Sequence, residues 1–308
     1  MAIISVIIPT FNRATRLSAC LESLTRQQLP REEFEVIVVD DGGNVDLDVI
    51  IEPLRALINI RLLKQGNSGP AAARNYGAAN ATGQFIAFTD DDCTPDGDWL
   101  TAFMHRLQQD PSRLYGGHTV NALDGNVYSA ASQALIDYLY DYFNADPEQG
   151  NFFTSNNMAL SRSMFEMTGG FDTDFSRAGG EDRELCDRWL QLGYSMSFVP
   201  EAQVRHAHEM DLRSFWKQHF SYGAGAWRYW ECKHERGLEG PKLEPPSFYL
   251  KLVNHARKNR LRHPFRLTLL LVLSQVANAA GFASARTKGM QPHTSPSGAA
   301  GDPPGRAG

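Results

Sequence analysis

Apolar positions follow two rhythms along the first part of the chain. Continuous runs rich in Val, Ile and Phe occur at Ile3–Pro9, Glu35–Asp40, Asn59–Lys64 and Gln84–Thr89. A strand covered on both faces has no polar side, so such runs predict buried strands. Between them, apolar residues recur every three or four positions, which places them on one helix face. Ala14–Gln27 is one such helix, with Leu17, Leu21 and Leu24 in line. Val49–Leu57 is a shorter one, and Pro70–Asn80 is an Ala-rich helix with proline in its first turn. Strands alternating with helices in this way predict parallel crossovers and a doubly wound α/β sheet.

Beyond Asp98 the rhythm is mixed. Helices are expected at Trp99–Gln109, Ser132–Tyr142 and Arg183–Leu192, the last stopped by Gly193. Strands are expected at Leu114–Val120 and Ser195–Val199, with a strand-like run Phe198–Arg205 and an extended stretch Asn151–Leu160. From Leu212 a helix dense in aromatics runs from Phe215 to Trp230, and prolines 241, 245 and 246 break it. A basic stretch (Lys251, Arg257, Lys258, Arg260, Arg262, Arg266) leads into an apolar run, Leu267–Ala280. The expected organisation is an α/β domain over 1–210, a helical, basic and aromatic extension over 211–286, and a disordered Gly/Pro/Ser/Ala-rich tail over 287–308. The apolar run is shorter than a membrane-spanning helix. It reads either as a core helix or, behind the basic stretch, as a peripheral contact with an anionic lipid surface.

Composition narrows the class. With 42% hydrophobic and 21% charged residues the chain is globular, and its net charge of -5 gives no reason to expect a nucleic-acid partner. The four cysteines, Cys20, Cys93, Cys186 and Cys232, are widely spaced, which excludes the usual zinc-ribbon and redox motifs. The N-terminus enters a strand directly, with no basic segment or cleavage site, so a cytoplasmic catalytic part is expected, with any membrane contact at the inner face.

Ligands of open parallel sheets bind beyond the carboxyl ends of the strands, and acidic residues gather there. Asp90-Asp91-Asp92 follow the fourth strand. Like charges so close raise one another's pKa unless a cation neutralises them, and a hard divalent ion would do so; an acidic loop leading to the helix after Asp98 is the plainer reading. Asp40-Asp41-Gly42 ends the second strand and reads as a turn or as a carboxylate for a nucleobase or ribose. Asn67–Asn75 opens a helix whose N-terminus suits an anion, and Arg74 is either a diphosphate partner or a solvated surface residue. Glu181-Asp182 follow two glycines at a helix start, where acids are favoured by the dipole and where a general base would also fit. His206 and His208, two apart after a strand, share a face as surface histidines or as metal or diphosphate ligands. The aromatic stripe from Phe215 to Trp230 reads as packing or membrane-interface contact.

Taken together, these segments resemble the inverting family-two glycosyltransferases of the GT-A fold. The likeness runs from Ser5–Arg13 through Val38–Gly42, Gly69–Gly77 and Thr82–Phe88 to the Asp90–Asp92 cluster, then Asn156–Arg162, Gly169–Asp172 and Gly180–Asp182 with Leu185, Arg188 and Trp189. The resemblance implies a Rossmann-like, mostly parallel sheet flanked by helices with a helical C-terminal appendage. It implies that Pro9, Phe11 and Asp41 cradle the base, and that Arg74 lies near base or phosphate. Asp91 would meet the ribose or the metal, and Asp90 and Asp92 would hold Mn2+ or Mg2+. His206 would stand near that metal with His208 second, and Asp182, beside Glu181, would be the base. The activity so implied is transfer of a sugar, with inversion, from a nucleotide-diphosphate donor to a saccharide or lipid-linked hydroxyl acceptor of a polysaccharide or cell-envelope pathway. A nucleotidyltransferase would want a Gly-rich basic loop after the first strand, where Thr10-Phe11-Asn12-Arg13 stand, and a dehydrogenase a GxGxxG there. A sugar-nucleotide-binding or membrane-scaffold protein without turnover is the remaining alternative.

Overall fold

The computed structural model describes residues 2–175, 179–240, 244–259 and 261–289. A single eight-stranded sheet runs in the order β3-β2-β1-β4-β7-β6-β8-β5. Its first half is β1 (Ile4–Thr10), β2 (Phe34–Asp41), β3 (Ile60–Gln65) and β4 (Phe85–Thr89), all parallel. The helices between them are α1 (Ala14–Leu24), a short α2 (Asp48–Ile51) with a 3-10 turn at Glu52–Leu54, and α3 (Pro70–Ala79). The strands read as unbroken apolar runs because both faces are covered. Ile4, Val6 and Ile8 of β1 join the core beneath α1, while Ile7 points to the core beneath α3.

The second half is built from β5 (Cys93–Pro95), α4 (Trp99–Gln109), β6 (Leu114–Asn121), α5 (Val127–Phe143), β7 (Asn157–Ser161), α6 (Arg162–Thr168), α7 (Glu181–Gln191) and β8 (Met196–His206). Here β7 is antiparallel to β4 and β6, and β5 antiparallel to β8. Three expectations change. Only residues 157–161 of the extended stretch pair as a strand. The runs Ser195–Val199 and Phe198–Arg205 are one strand, β8, irregular where it passes Gly117 and His118. Strand β5 and helix α6, three and seven residues long, are too short for a periodic pattern to register.

Three helices follow: α8 (Leu212–Glu235), α9 (Pro246–Lys258) and α10 (Pro264–Gly289). Asp211 and Ser214 close a reciprocal capping box at the start of α8. The helices share a third core with α5, in which Leu135 and Tyr138 meet Phe215, Phe248, Leu252, Leu267 and Leu271. Helices α8 and α10 touch backbone to backbone: a Cβ on Gly223 would come 1.8 Å from the Asn278 carbonyl oxygen, and one on Gly281 1.9 Å from that of Phe220. The apolar run is longer than its sequence suggested. An 18-residue stretch within Pro264–Lys288 has a mean hydropathy of 1.5, and the helix is, by length and composition, sufficient to cross a membrane. Its last turn includes residues 287–289 of the expected tail, while 290–308, with Pro241 and Arg260, lie outside the described residues.

Candidate active site

Because β1, β2 and β4 are parallel, their carboxyl ends share one edge, and the loops that follow them meet there. Side chains of successive residues leave an extended chain in different directions, and the three aspartates after β4 do so. Asp90 turns to Arg74 of α3, 2.6 Å away. Asp91 turns back under β1, accepting from the Thr10 hydroxyl at 2.7 Å and from Arg13 at 3.1 Å. Burial pushes its carboxyl up to about 6, with the Arg13 guanidinium opposing. Asp92 receives Arg13 and Arg16 on one oxygen, at 3.3 and 3.2 Å, and His206 Nε2 on the other at 3.2 Å. Burial would raise Asp92, but the bond from His206, its charge and that of Arg13 hold it well below the usual carboxylate range.

The β5–β8 pairing explains why a histidine so distant in sequence arrives here: Cys93 lies opposite His206 in the register. Ligand atoms of Asp92, Cys93 and His206 fall within 4.8 Å of one another. Burial pushes the Cys93 thiol well up, so it stays protonated and is a poor ligand. Burial alone would lower His206, but its bond to Asp92 outweighs this and raises it. The His208 ring, 5.2 Å from that of His206, is depressed to about 4 by burial and by the neighbouring imidazole. Asp92 and His206, with Asp90 on the same wall, therefore offer oxygen and nitrogen donors that fit a divalent ion such as Mn2+ or Mg2+.

Arg74, 3% exposed, bridges Asp90 and Glu181 of α7, the latter at 3.3 Å. Glu181 also accepts from the Gly179 amide at 2.8 Å, so both its oxygens are engaged. Asp182 is different. It is half-buried and accepts from the Arg183 amide at 2.8 Å. Its carboxyl is pushed up to about 7, first by burial and then by the charge of Glu181. A carboxylate titrating near neutrality in a cleft is suited to proton transfer. The next side chain, the Arg183 guanidinium, lies 4.8 Å from the Phe143 ring centre and 5.7 Å from that of Tyr229.

One cavity of about 1030 Å³ gathers Arg74, Asp90, Asp92, Glu181, Asp182, His206 and His208. Pro9, Phe11, Asp41 and Asp91 do not line it; they sit on the adjoining strand ends. Phe11, 46% exposed, follows Thr10, and Pro9 pairs with Val39 across β1 and β2. Asp41 is engaged: Oδ1 accepts from Gln65 and from the Ser68 amide, and Oδ2 from the Gly69 amide at 2.9 Å. The anion at the N-terminus of α3 is thus the chain's own Asp41. Arg13 and Arg16 escaped the sequence reading. Two cations at the start of α1 oppose the helix dipole, and that was the available signal.

The model of glycosyl transferase family 2 matches residues 5–169, more than half of the chain. The chain belongs to glycosyl transferase family 2. A second model, of the N-terminal domain of galactosyltransferase, matches residues 139–211. Among family relatives, a pre-mycofactocin glycosyltransferase of Mycobacterium tuberculosis is 31% identical over 230 residues, covering 72% of this chain and 46% of its own length. A chondroitin synthase of Escherichia coli is 28% identical over 239 residues, covering 66% of this chain and 34% of its own. The chain thus spans less than half the length of either relative. The fold matches a mannosyltransferase of Pyrobaculum calidifontis solved with GDP-Man and Mn2+, with TM-score 0.59 and 20% identity over 93% of this chain and 79% of that one. It also matches Staphylococcus aureus TarS 1–349 solved with UDP, with TM-score 0.51 and 17% identity over 94% and 92%. The family-two chain described here accordingly has the GT-A type architecture.

Proposed function

We propose that this family-two chain transfers a sugar from a nucleotide-diphosphate donor to a hydroxyl acceptor with inversion at the anomeric carbon. One observation carries the reading: half-buried Asp182, raised to about 7, shares a cavity with the Asp90, Asp92 and His206 donor set. In this reading Asp182 accepts the acceptor's hydroxyl proton while the acceptor oxygen attacks the anomeric carbon, and the nucleoside diphosphate departs from the opposite face. Asp92 and His206, with Asp90, would hold Mn2+ or Mg2+, and a bound ion supplies Lewis-acid stabilisation of charge on the diphosphate. The imidazole favours Mn2+ over the strictly oxygen-seeking Mg2+. Glu181 and Arg74 act through position: their ion pair fixes the start of α7 and so the aim of Asp182. Pro9, Phe11 and Asp41 would form the rim on which the nucleoside rests, Asp41 keeping one lone pair of Oδ2 for it, while Asp91 stands behind them on Thr10 and Arg13. The nucleotides carried by the two fold relatives, GDP-Man and UDP, are of the same class.

In the same reading residues 1–210 are the catalytic domain and 211–286 an extension at the inner face of a membrane. Support for the second part is the exposed basic set Lys251, Arg257, Lys258, Arg262 and Arg266 beside the apolar α10. A panel of sugar nucleotides, scored by released nucleoside diphosphate, tests the activity. One donor should be consumed faster when a hydroxyl acceptor is added, and no release from any donor would overturn the proposal.

A further inference from the structure

Among the described residues three arginines line the cavity, and two are spent on its acids. Arg13 is bound to Asp91 and Asp92, and Arg74 to Asp90 and Glu181. Arg183, in the first turn of α7 directly after Asp182, has no carboxylate within ion-pair distance among those residues. Two carboxylates that could have quenched it are engaged elsewhere. Asp187, one helical turn on, accepts from Lys233 at 3.0 Å. Glu244, the remaining carboxylate of the cavity lining, accepts from the Tyr142 hydroxyl at 2.9 Å. Asp182 itself is no partner, because adjacent residues of a helix do not face each other.

The surroundings of the Arg183 guanidinium are aromatic. Its central carbon lies 4.8 Å from the ring centre of Phe143, 5.9 Å from that of Phe152 and 5.7 Å from that of Tyr229. All three rings line the same cavity. They attract the cation through their π faces, but Phe143 and Phe152 supply no lone pair, and the one oxygen among them is the Tyr229 hydroxyl. A guanidinium carries five N–H donors, so most of them remain for a molecule that enters the cavity. A planar fork of donors matches a carboxylate or a phosphate at two points. Because Arg183 adjoins Asp182, where the acceptor hydroxyl is deprotonated, that oxyanion belongs to the acceptor rather than to the donor.

We propose that Arg183 binds an oxyanion, a carboxylate or a phosphate, carried by the acceptor saccharide, and so selects negatively charged acceptors. This rests on the glycosyltransferase reading of the site. The donor is first fixed by nucleoside diphosphate release from the full chain with Mn2+. Acceptor-stimulated release is then compared for methyl glucoside, methyl glucuronide and methyl glucoside 6-phosphate, and for their galacto counterparts. In at least one set a charged member should exceed its neutral parent in kcat/KM by about tenfold or more, the worth of one charge-assisted hydrogen bond. The difference should lie mostly in KM, because the oxyanion is not at the reacting atoms. Gain by the uronate or by the phosphate identifies the group. Arg183→Gln should bring charged and neutral members within about twofold of each other while the donor's Kd holds, and Arg183→Lys, a point charge without the fork, should fall between. The lysine variant carries the test alone if the melting curve of Arg183→Gln shows that it does not fold. The inference is overturned if no charged acceptor surpasses its neutral parent, if the preference survives substitution undiminished, or if the substitutions weaken donor binding instead. Each of these, in a protein that consumes the donor, leaves the transferase reading standing. No donor consumption at all overturns both.

Discussion

At the scale of single residues, the division of labour between Glu181 and Asp182 decides the chemistry. Neighbours in sequence, alike in charge and both lining the cavity, they differ in that Glu181 has Arg74 and the Gly179 amide on its oxygens while Asp182 has no cation bonded to it among the described residues. Removing a general base typically slows a reaction 100- to 10,000-fold. Asp182→Asn should lower kcat by about that factor while leaving the donor's Kd within about twofold, as titration calorimetry would show. The base must be unprotonated, and its pKa is raised to about 7, so kcat should climb with pH through that region and level off above it. An activity profile flat from pH 5 to 8 in the wild type would contradict the assignment. Arg74 holds two carboxylates at once from a nearly closed position. Arg74→Met leaves buried Glu181 without its cation and half-buried Asp90 without its partner, and breaking a buried pair costs about 3–5 kcal/mol; urea denaturation should register a loss of that order.

This is also the scale at which sequence was least informative. The triple aspartate left open whether Asp91 meets the ribose or the metal; Asp91 faces inward to Thr10, and of the three only Asp90 and Asp92 line the cavity. Nothing in residue order says which way a loop carboxylate turns. Glu184, which the sequence did not single out, is fully buried between Arg188 of its own helix and Arg236 beyond the end of α8.

At the scale of elements, β1 to β4 and α1, α3, α4 were readable because each carries a long, consistent period. Strand β5 was not, though it brings His206 to Asp92. The crossing of α8 and α10 was also invisible, since it depends on two glycines far apart in sequence whose missing side chains allow backbone contact. Gly281→Val should force those helices apart. Overpacking costs about 1–3 kcal/mol, so the melting temperature should drop. Since α10 also forms the cavity wall, acceptor KM should rise while donor binding stays close to normal. Unchanged stability would show that the two helices tolerate a wider separation than the structure gives them.

At the scale of the whole molecule, the α/β sheet presents charge at one edge, and residues of α5, α8, α9 and α10 line the same cavity. The family model matches residues 5–169 and the motifs read in the sequence end at Trp189, whereas the C-terminal helices had no motif to announce them. Two predictions belong here. If, as proposed, Asp92 and His206 hold a divalent ion, EDTA should abolish transfer and Mn2+ restore it; full activity after chelation would remove the ion from the account. Liposomes containing anionic lipid should carry the protein in flotation, and a chain ending before Leu250 should remain behind; equal behaviour would detach the basic helices from any lipid role.

The claim on which the rest depends is that Asp182 is the base of a sugar transfer taking place in this cavity. Its most direct test is acceptor-dependent release of nucleoside diphosphate by wild type and Asp182→Asn side by side, with Mn2+ present and donor binding measured on the same samples. The account predicts release by the wild type and, from a variant that binds the donor equally well, about a hundredfold less or lower still. Equal release by the two proteins would contradict it.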